Sequence, residues 1–224
     1  MGKAPVVPLA RNVWRIPLLG DYVNGFILRD DDGQVTLVDM GIKASGPKVL
    51  AAVAAVGSGP SDLTRLLLTH AHPDHAGGLA ALVEQTGCGV LAHERESVYL
   101  RDGRSPRTRR GRSRRFPKVT VTFEFQHGSL LPGGLRAVHT PGHSPGHTAL
   151  LHEDSGVLFT GDAVMNLRGV RYAPGFLCTD PDRNRQSADR LGELDFEVAA
   201  FAHGPELRRD AKAAVRALAL GHSQ

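Results

Sequence analysis

The stretch Leu66-Leu67-Leu68-Thr69-His70-Ala71-His72-Pro73-Asp74-His75-Ala76-Gly77-Gly78 decides how this chain reads. Its apolar start predicts a buried strand over Leu66 to Thr69, and four metal-ligating side chains follow within six residues. Side chains two apart in extended backbone point the same way, so His70 and His72 can share one ion. Pro73 turns the chain, and Asp74 and His75 can then face a second ion beside the first. Neutral imidazoles with a carboxylate suit a borderline divalent metal such as zinc. The competing reading is a polar loop of solvated histidines.

Working outward, the chain supplies the partners such a cluster needs. Thr140-Pro141-Gly142-His143-Ser144-Pro145-Gly146-His147 follows an apolar run from Leu135 to Val138. Leu158-Phe159-Thr160-Gly161-Asp162 reads as a strand ending in an acid, and Ala199-Ala200-Phe201-Ala202-His203-Gly204 as one ending in a histidine. Each candidate stands at the end of a hydrophobic segment, where loops on a rigid scaffold carry sites. His70, His72 and His143 group around one metal, Asp74, His75 and His203 around another, and Asp162 is left as a carboxylate able to bridge both.

The order His-x-His-x-Asp-His, then His, Asp and His, resembles the metallo-β-lactamase superfamily. Leu37-Val38-Asp39-Met40-Gly41 resembles that family's opening strand-Asp-Gly motif, so the motifs run from about residue 37 to 204. The resemblance implies an α/β fold, a four-layer αβ/βα sandwich with the metal site at one edge of its two sheets. It implies two Zn2+ ions, with Fe2+ or Mn2+ as alternatives. It gives Asp39 the task of orienting a ligand or a loop rather than binding metal, against a plain turn or helix cap. His147 either touches the ligands from behind or only packs.

Composition fits one compact domain over residues 1–224. Apolar residues make up 41% of the chain, which argues against wholesale disorder. No apolar run approaches the roughly 18 residues of a membrane span, and Met1-Gly2-Lys3-Ala4-Pro5 lacks the apolar core of a signal peptide. Cys88 and Cys178 are the two cysteines, too few for a disulfide framework. A cytoplasmic protein of undefined oligomeric state is the simplest reading.

Patterning predicts strands within Val6 to Leu28, over Val35 to Asp39, Val90 to His93, Val119 to Phe125, Leu135 to His139, Ala149 to His152, Val157 to Thr160 and Val198 to Ala202. Helices are predicted over Pro47 to Val56, Gly78 to Gln85, Asn184 to Leu191 and Arg208 to Leu220. That alternation implies a layered α/β domain.

Arg101 to Lys118 stands apart. It holds nine basic residues and one acid, Asp102, while the whole chain is only +4. A local net charge of +8 therefore leaves −4 elsewhere, so the basic character is a feature of one loop. An active-site lid drawing in an anionic small molecule, a nucleic-acid contact and a solvated insertion are the three readings. Phe116 is its one aromatic, so base stacking is poorly supported and nucleic acid is the weaker of the two functional readings.

The chemistry follows from the metals. Two neighbouring divalent ions sharing a water lower its pKa toward neutrality, giving hydroxide to attack a carbonyl carbon with no Ser or Cys nucleophile. Asp74 would orient that hydroxide or move a proton. The expected activity is hydrolysis of an ester, thioester or lactone. Asp162 stands where the best-known lactamases of the family have cysteine, which disfavours that activity. Glyoxalase II-like thioesterases share the ligand set but carry a further helical domain. Acyl-homoserine lactonases place a tyrosine where this chain has Met165. Tyr172, Arg168 and Arg171 lie on the same loop and are candidates for the pocket, against a plain surface loop. The alternatives are a mononuclear iron persulfide dioxygenase, built on His70, His143 and Asp162, and a nucleic-acid-processing protein. His93, His127, His139, His152 and His222 match no motif.

Overall fold

The computed structural model describes residues 5–221; Met1 to Ala4 and His222 lie outside the described residues. Two β-sheets carry the architecture. The first runs in chain order from β1 (Val7–Ala10), β2 (Val13–Asp21), β3 (Asn24–Arg29) and β4 (Val35–Val38) to β5 (Leu63–Leu67), β6 (Gly89–His93) and β7 (Phe123–Phe125). It is antiparallel up to β4 and parallel from β4 to β7. The second contains β8 (Leu130–Leu131), β9 (Leu135–His139), β10 (Thr148–His152) and β11 (Val157–Phe159). A small antiparallel ladder, β12 (Val164–Met165) with β13 (Arg171–Tyr172), precedes β14 (Val198–Ala200), which pairs parallel with β11.

Period-two side chains divide the core into three slabs. Phe26 and Leu28 face the second sheet, while Ile27 between them faces helices; Leu67 and its neighbours Leu66 and Leu68 divide the same way. The inter-sheet slab is closed by the Phe26 and Phe159 rings, 4.9 Å apart. The first outer slab packs α1 (Gly46–Ala55), α3 (Leu79–Thr86) and α4 (Glu94–Asp102) on one sheet, with the single-turn α2 (Pro73–Ala76) between. The other packs α5 (Pro181–Leu191) and α6 (Ala211–Leu220) on the second sheet. The order helix, sheet, sheet, helix is the expected four-layer αβ/βα sandwich. Each fully buried leucine in these slabs contributes roughly 1.5–3 kcal/mol.

Element boundaries differ from the sequence expectation for local reasons. The strand predicted at Leu66 to Thr69 is β5, ending at Leu67, because Thr69 N bonds to the Asp39 carboxylate instead of a ladder. The last helix begins at Ala211 rather than Arg208, since Asp210 sits at φ 53° and breaks a helical run. Helix α5 begins earlier than expected, with Asp180 accepting from Arg183 N and Pro181 at its first position. Only Phe123–Phe125 pairs as a strand within Val119 to Phe125, though Val119 and Val121 are buried. Helix α4 was not expected, because its polar sequence shows little apolar periodicity; Arg101 and Asp102 thus belong to a helix and not to a loop. No described helix is long and apolar enough to cross a membrane.

Candidate metal centre

The ends of β4, β5, β9, β11 and β14 deliver their following residues to one edge of the two sheets. After β5 the chain stays extended to His72 (φ −86°, ψ 153°), the conformation favoured before proline. Pro73 then opens α2 and places Asp74 and His75 in its first turn. Asp39, fully buried at φ 54° just past β4, accepts from Thr69 N at 2.9 Å and Thr69 Oγ1 at 2.7 Å. The same carboxylate lies 2.8 Å from His75 Nδ1. An Nδ1–H donated there leaves the His75 Nε2 lone pair facing the other ligands.

Three imidazole nitrogens converge first. His70 Nε2 is 3.0 Å from His72 Nδ1, which is 2.8 Å from His143 Nε2. A tetrahedral zinc bound at about 2.0–2.1 Å separates two nitrogen ligands by roughly 3.3 Å, so a small adjustment seats an ion. Burial drives the pKa of His70 and His143 well below the ordinary histidine value, and neighbouring histidines add to it, so both are the neutral donors a metal requires.

The second group lies beside the first. Asp74 Oδ2 is 3.5 Å from His203 Nε2 and 4.0 Å from His75 Nε2. Asp162 stands between the groups, with Oδ2 3.3 Å from His143 Nε2 and Oδ1 3.3 Å from His75 Nε2 and 3.2 Å from His203 Nε2. Burial opposes ionisation of Asp162, yet His203, His75 and His143 hold its carboxyl well below the usual range. Burial likewise opposes the His203 and His75 cations, but Asp162 together with Asp74 for His203, and together with Asp39 for His75, outweighs it, raising His203 to about 9 and His75 well above its ordinary value. A strong demand for positive charge is therefore built into this spot.

The fit to metal is visible in unmet bonds. His75 Nε2 and Asp162 Oδ1 are buried without a hydrogen-bond partner, and the 3.3 Å between them lacks bonding geometry. A buried polar atom left unpaired costs about 1–3 kcal/mol. With His75 neutral, as a metal ligand must be, its Nε2 lone pair stands beside Asp162 Oδ1, and a cation between them would satisfy both; the His and Asp groups are arranged to hold one.

Around the candidate ligands, further contacts fix their aim. His147 Nε2 accepts from Asp162 N at 2.9 Å, and its Nδ1 lies 3.2 Å from Thr140 O. Both ring nitrogens are thus engaged, burial lowers its pKa to about 3, and it positions Asp162 as a neutral ring. His203 Nδ1 donates to Tyr22 O, and Asn24 Nδ2 holds the His203 loop through Phe201 O and Gly204 O at 2.9 and 2.8 Å. Gly204, at φ 106°, has the Asn166 backbone 2.2 Å from where a Cβ would stand, so a side chain there would displace this loop.

Two contributors escaped sequence reasoning. Glu96, fully buried on α4, accepts from Ala71 N at 2.8 Å, Ser144 Oγ at 2.6 Å and Gly146 N at 2.7 Å. It joins the loop of His70 and His72 to the loop of His143, and burial raises its carboxyl to about 7 against those three donors. Cys178 Sγ lies 3.7 Å from His143 Nδ1, with burial pushing its thiol up to about 12. Neither carries a motif: a lone glutamate in a polar helix and a lone cysteine look ordinary in sequence.

The pocket candidates are dispersed. Met165 is buried against Ala173 and Cys178. Arg168 and Arg171 are exposed, with Arg171 Nη2 bonded to Arg168 O. The Tyr172 hydroxyl bonds Asp189 of α5, and its ring packs in the outer slab of the second sheet. Of the histidines without motifs, His93 stacks on His139 at 4.2 Å, and His152 bonds Ser155 Oγ.

The family model for the metallo-β-lactamase superfamily matches residues 18–203. The chain is 26% identical to the probable metallo-hydrolase YybB of Bacillus subtilis (strain 168) over 186 residues, covering 83% of this chain and 82% of that one. It is 33% identical to a hydroxyacylglutathione hydrolase of Cereibacter sphaeroides over 189 residues, 82% of this chain and 62% of that enzyme's length. Among solved structures, a Thermus thermophilus metallo-β-lactamase family protein superposes with a TM-score of 0.72 at 27% identity, covering 96% of this chain and 80% of that one. The Rm3 metallo-β-lactamase, at 21% identity and a TM-score of 0.76 over 98% and 92% of the two chains, shares the fold. On these matches and the ligand order at the sheet edge, the chain belongs to the metallo-β-lactamase superfamily.

Proposed function

We propose that this metal-dependent hydrolase cleaves an ester, thioester or lactone at a dinuclear zinc centre. The observation that carries the reading is Asp162, whose two oxygens stand 3.2–3.3 Å from nitrogens of both ligand groups. His70, His72 and His143 would hold one ion, Asp74, His75 and His203 the other, and Asp162 would bridge. Two ions held there would bring a shared water within reach of ionisation near neutral pH and polarise a carbonyl oxygen. Resemblance to proteins named hydroxyacylglutathione hydrolase supports an acyl compound as the small-molecule substrate.

The chain's own groups set the geometry of the attack. Asp74, its side chain 39% exposed, is the ligand candidate most open to solvent and is suited to accept and pass on a proton at the mouth of the site. Asp39 and His147 keep His75 and Asp162 in register from behind. The two cysteines are unpaired and buried, which supports a reducing, cytoplasmic setting.

Metal quantification joined to a screen of ester, thioester and lactone substrates tests the reading. About two zinc ions per chain with acyl hydrolysis is the expected result. One iron per chain with dioxygen uptake on a persulfide would overturn it.

A further inference from the structure

The arginine-rich segment is a docked hairpin. Arg104 and Arg115 form an antiparallel bridge, Ser105 N bonds Arg114 O at 2.8 Å, and Thr108 N bonds Arg112 O at 3.0 Å. Ser105 is buried, with its hydroxyl accepting from Arg114 N, and Phe116 packs against the first outer slab. The segment is therefore folded onto the body despite its charge.

Its tip is tied to the metal centre. Arg109 N bonds Cys178 O at 2.6 Å, and Thr179 Oγ1 bonds Arg107 O at 2.9 Å. In turn Thr179 N bonds His143 O at 3.0 Å, and the Cys178 thiol touches the His143 ring. One residue thus separates the hairpin backbone from a metal-ligand candidate. Beside the tip, Phe176 and Leu177 are 50% and 38% exposed, and the Arg110 guanidinium lies over the Phe176 ring at 5.2 Å.

The charge is uncompensated. Among the described residues, Arg101 is the one basic side chain of this segment in an ion pair, with Glu124. Acids near the tip are engaged elsewhere: Asp180 caps α5 and Asp182 pairs with Arg185. Like charges held in a fixed hairpin repel one another, so the arrangement costs stability that an arriving anion would offset.

We propose that the hairpin recruits substrates carrying a carboxylate or phosphate remote from the bond cleaved, with Phe176 and Leu177 receiving the adjoining apolar part. The proposal rests on the hydrolase reading. Guanidinium groups suit either anion through paired N–H donors.

The test uses zinc-loaded wild type and a quadruple variant, Arg107→Gln, Arg109→Gln, Arg110→Gln and Arg112→Gln. All four side chains are exposed, so the variant should fold. Substrates are 4-nitrophenyl acetate, its carboxylate-bearing succinate counterpart, and a matched phosphate-bearing ester. The variant should lose about tenfold in kcat/KM on the anionic esters at low salt, less than about twofold on the neutral one, and the gap should close as salt rises. Whichever anionic ester shows the larger loss identifies the group recognised. Equal loss on all three, or no loss on any, overturns the proposal, as does tight binding of single-stranded RNA abolished in the variant with esters unaffected. If wild type hydrolyses neither these esters nor any thioester or lactone, the hydrolase reading fails; calorimetric binding of succinate and inorganic phosphate then decides for the hairpin if weaker in the variant, and against it if equal.

Discussion

His75 Nδ1 lies 2.8 Å from Asp39 Oδ2, and both side chains are completely buried. The pair couples the end of β4 to α2, and it sets which nitrogen of His75 faces Asp162. Asp39 also holds Thr69 at the point where β5 gives way to the ligand loop.

Asp39→Ala should therefore weaken metal binding about 10–100-fold through the second ligand group, while the first group keeps its nitrogens. Asp162→Ala should be more damaging, since that carboxylate faces both groups. Metal titration with a colorimetric chelator measures both. Equal retention of two ions in Asp162→Ala and wild type would remove Asp162 from the bridging role.

Glu96→Ala leaves Ala71 N, Ser144 Oγ and Gly146 N unpaired in the interior. With each orphaned group costing about 1–3 kcal/mol, the three together cost at least about 3 kcal/mol, or a midpoint lowered by at least roughly 6–12 °C for a chain of this size. Glu96→Gln keeps one acceptor oxygen and should fall between. A midpoint unchanged in Glu96→Ala would show that the two ligand loops do not depend on this link.

Acid should act through His93. Its Nδ1 caps α4 by accepting from Arg95 N at 3.2 Å, its ring stacks on His139, and burial, then His139, lowers its pKa to about 4. A depressed folded value means the neutral ring is favoured by folding. That stability is complete above the unfolded pKa near 6.5 and is lost as pH falls through about 4. After allowance for solvent screening it amounts to roughly 1–2 kcal/mol. Asparagine also caps helices and does not titrate, so His93→Asn should lose less stability than wild type between pH 6.5 and 4. Parallel pH-stability curves for the two proteins would contradict this.

Removing metal should destabilise the fold. A ligand present at 100 times its dissociation constant adds about 2.7 kcal/mol. Chelation should then lower the melting midpoint by roughly 5–10 °C, with recovery on adding zinc. An unchanged midpoint would show that the ligand edge is held without metal.

The gathering of the candidate ligands at one edge was largely legible in the chain because their first motif is local. His70, His72, Asp74 and His75 lie within six residues of each other, and strand period and the Pro73 turn already dictate their sharing of one edge. His143, Asp162 and His203 were legible too, since each terminates an apolar run that must be a core strand. The αβ/βα layering followed from the same patterning joined to the family resemblance.

What only the tertiary structure decided depends on contacts remote in sequence. Glu96 reaches partners 25, 48 and 50 positions away, and no residue pattern around it predicts that. The sequence left His147 open between touching the candidate ligands and mere packing; its bond to Asp162 N, 15 positions on, decided for the first. The arginine segment read as a self-repelling loop because its composition offers little apolar surface. Its hairpin is instead held by a backbone bond to Cys178 and a side-chain bond from Thr179, some 70 residues away, and by Phe116 against the core. Sequence records local periodicity and residue type, whereas a backbone donor shows its partner only once the sheets have closed.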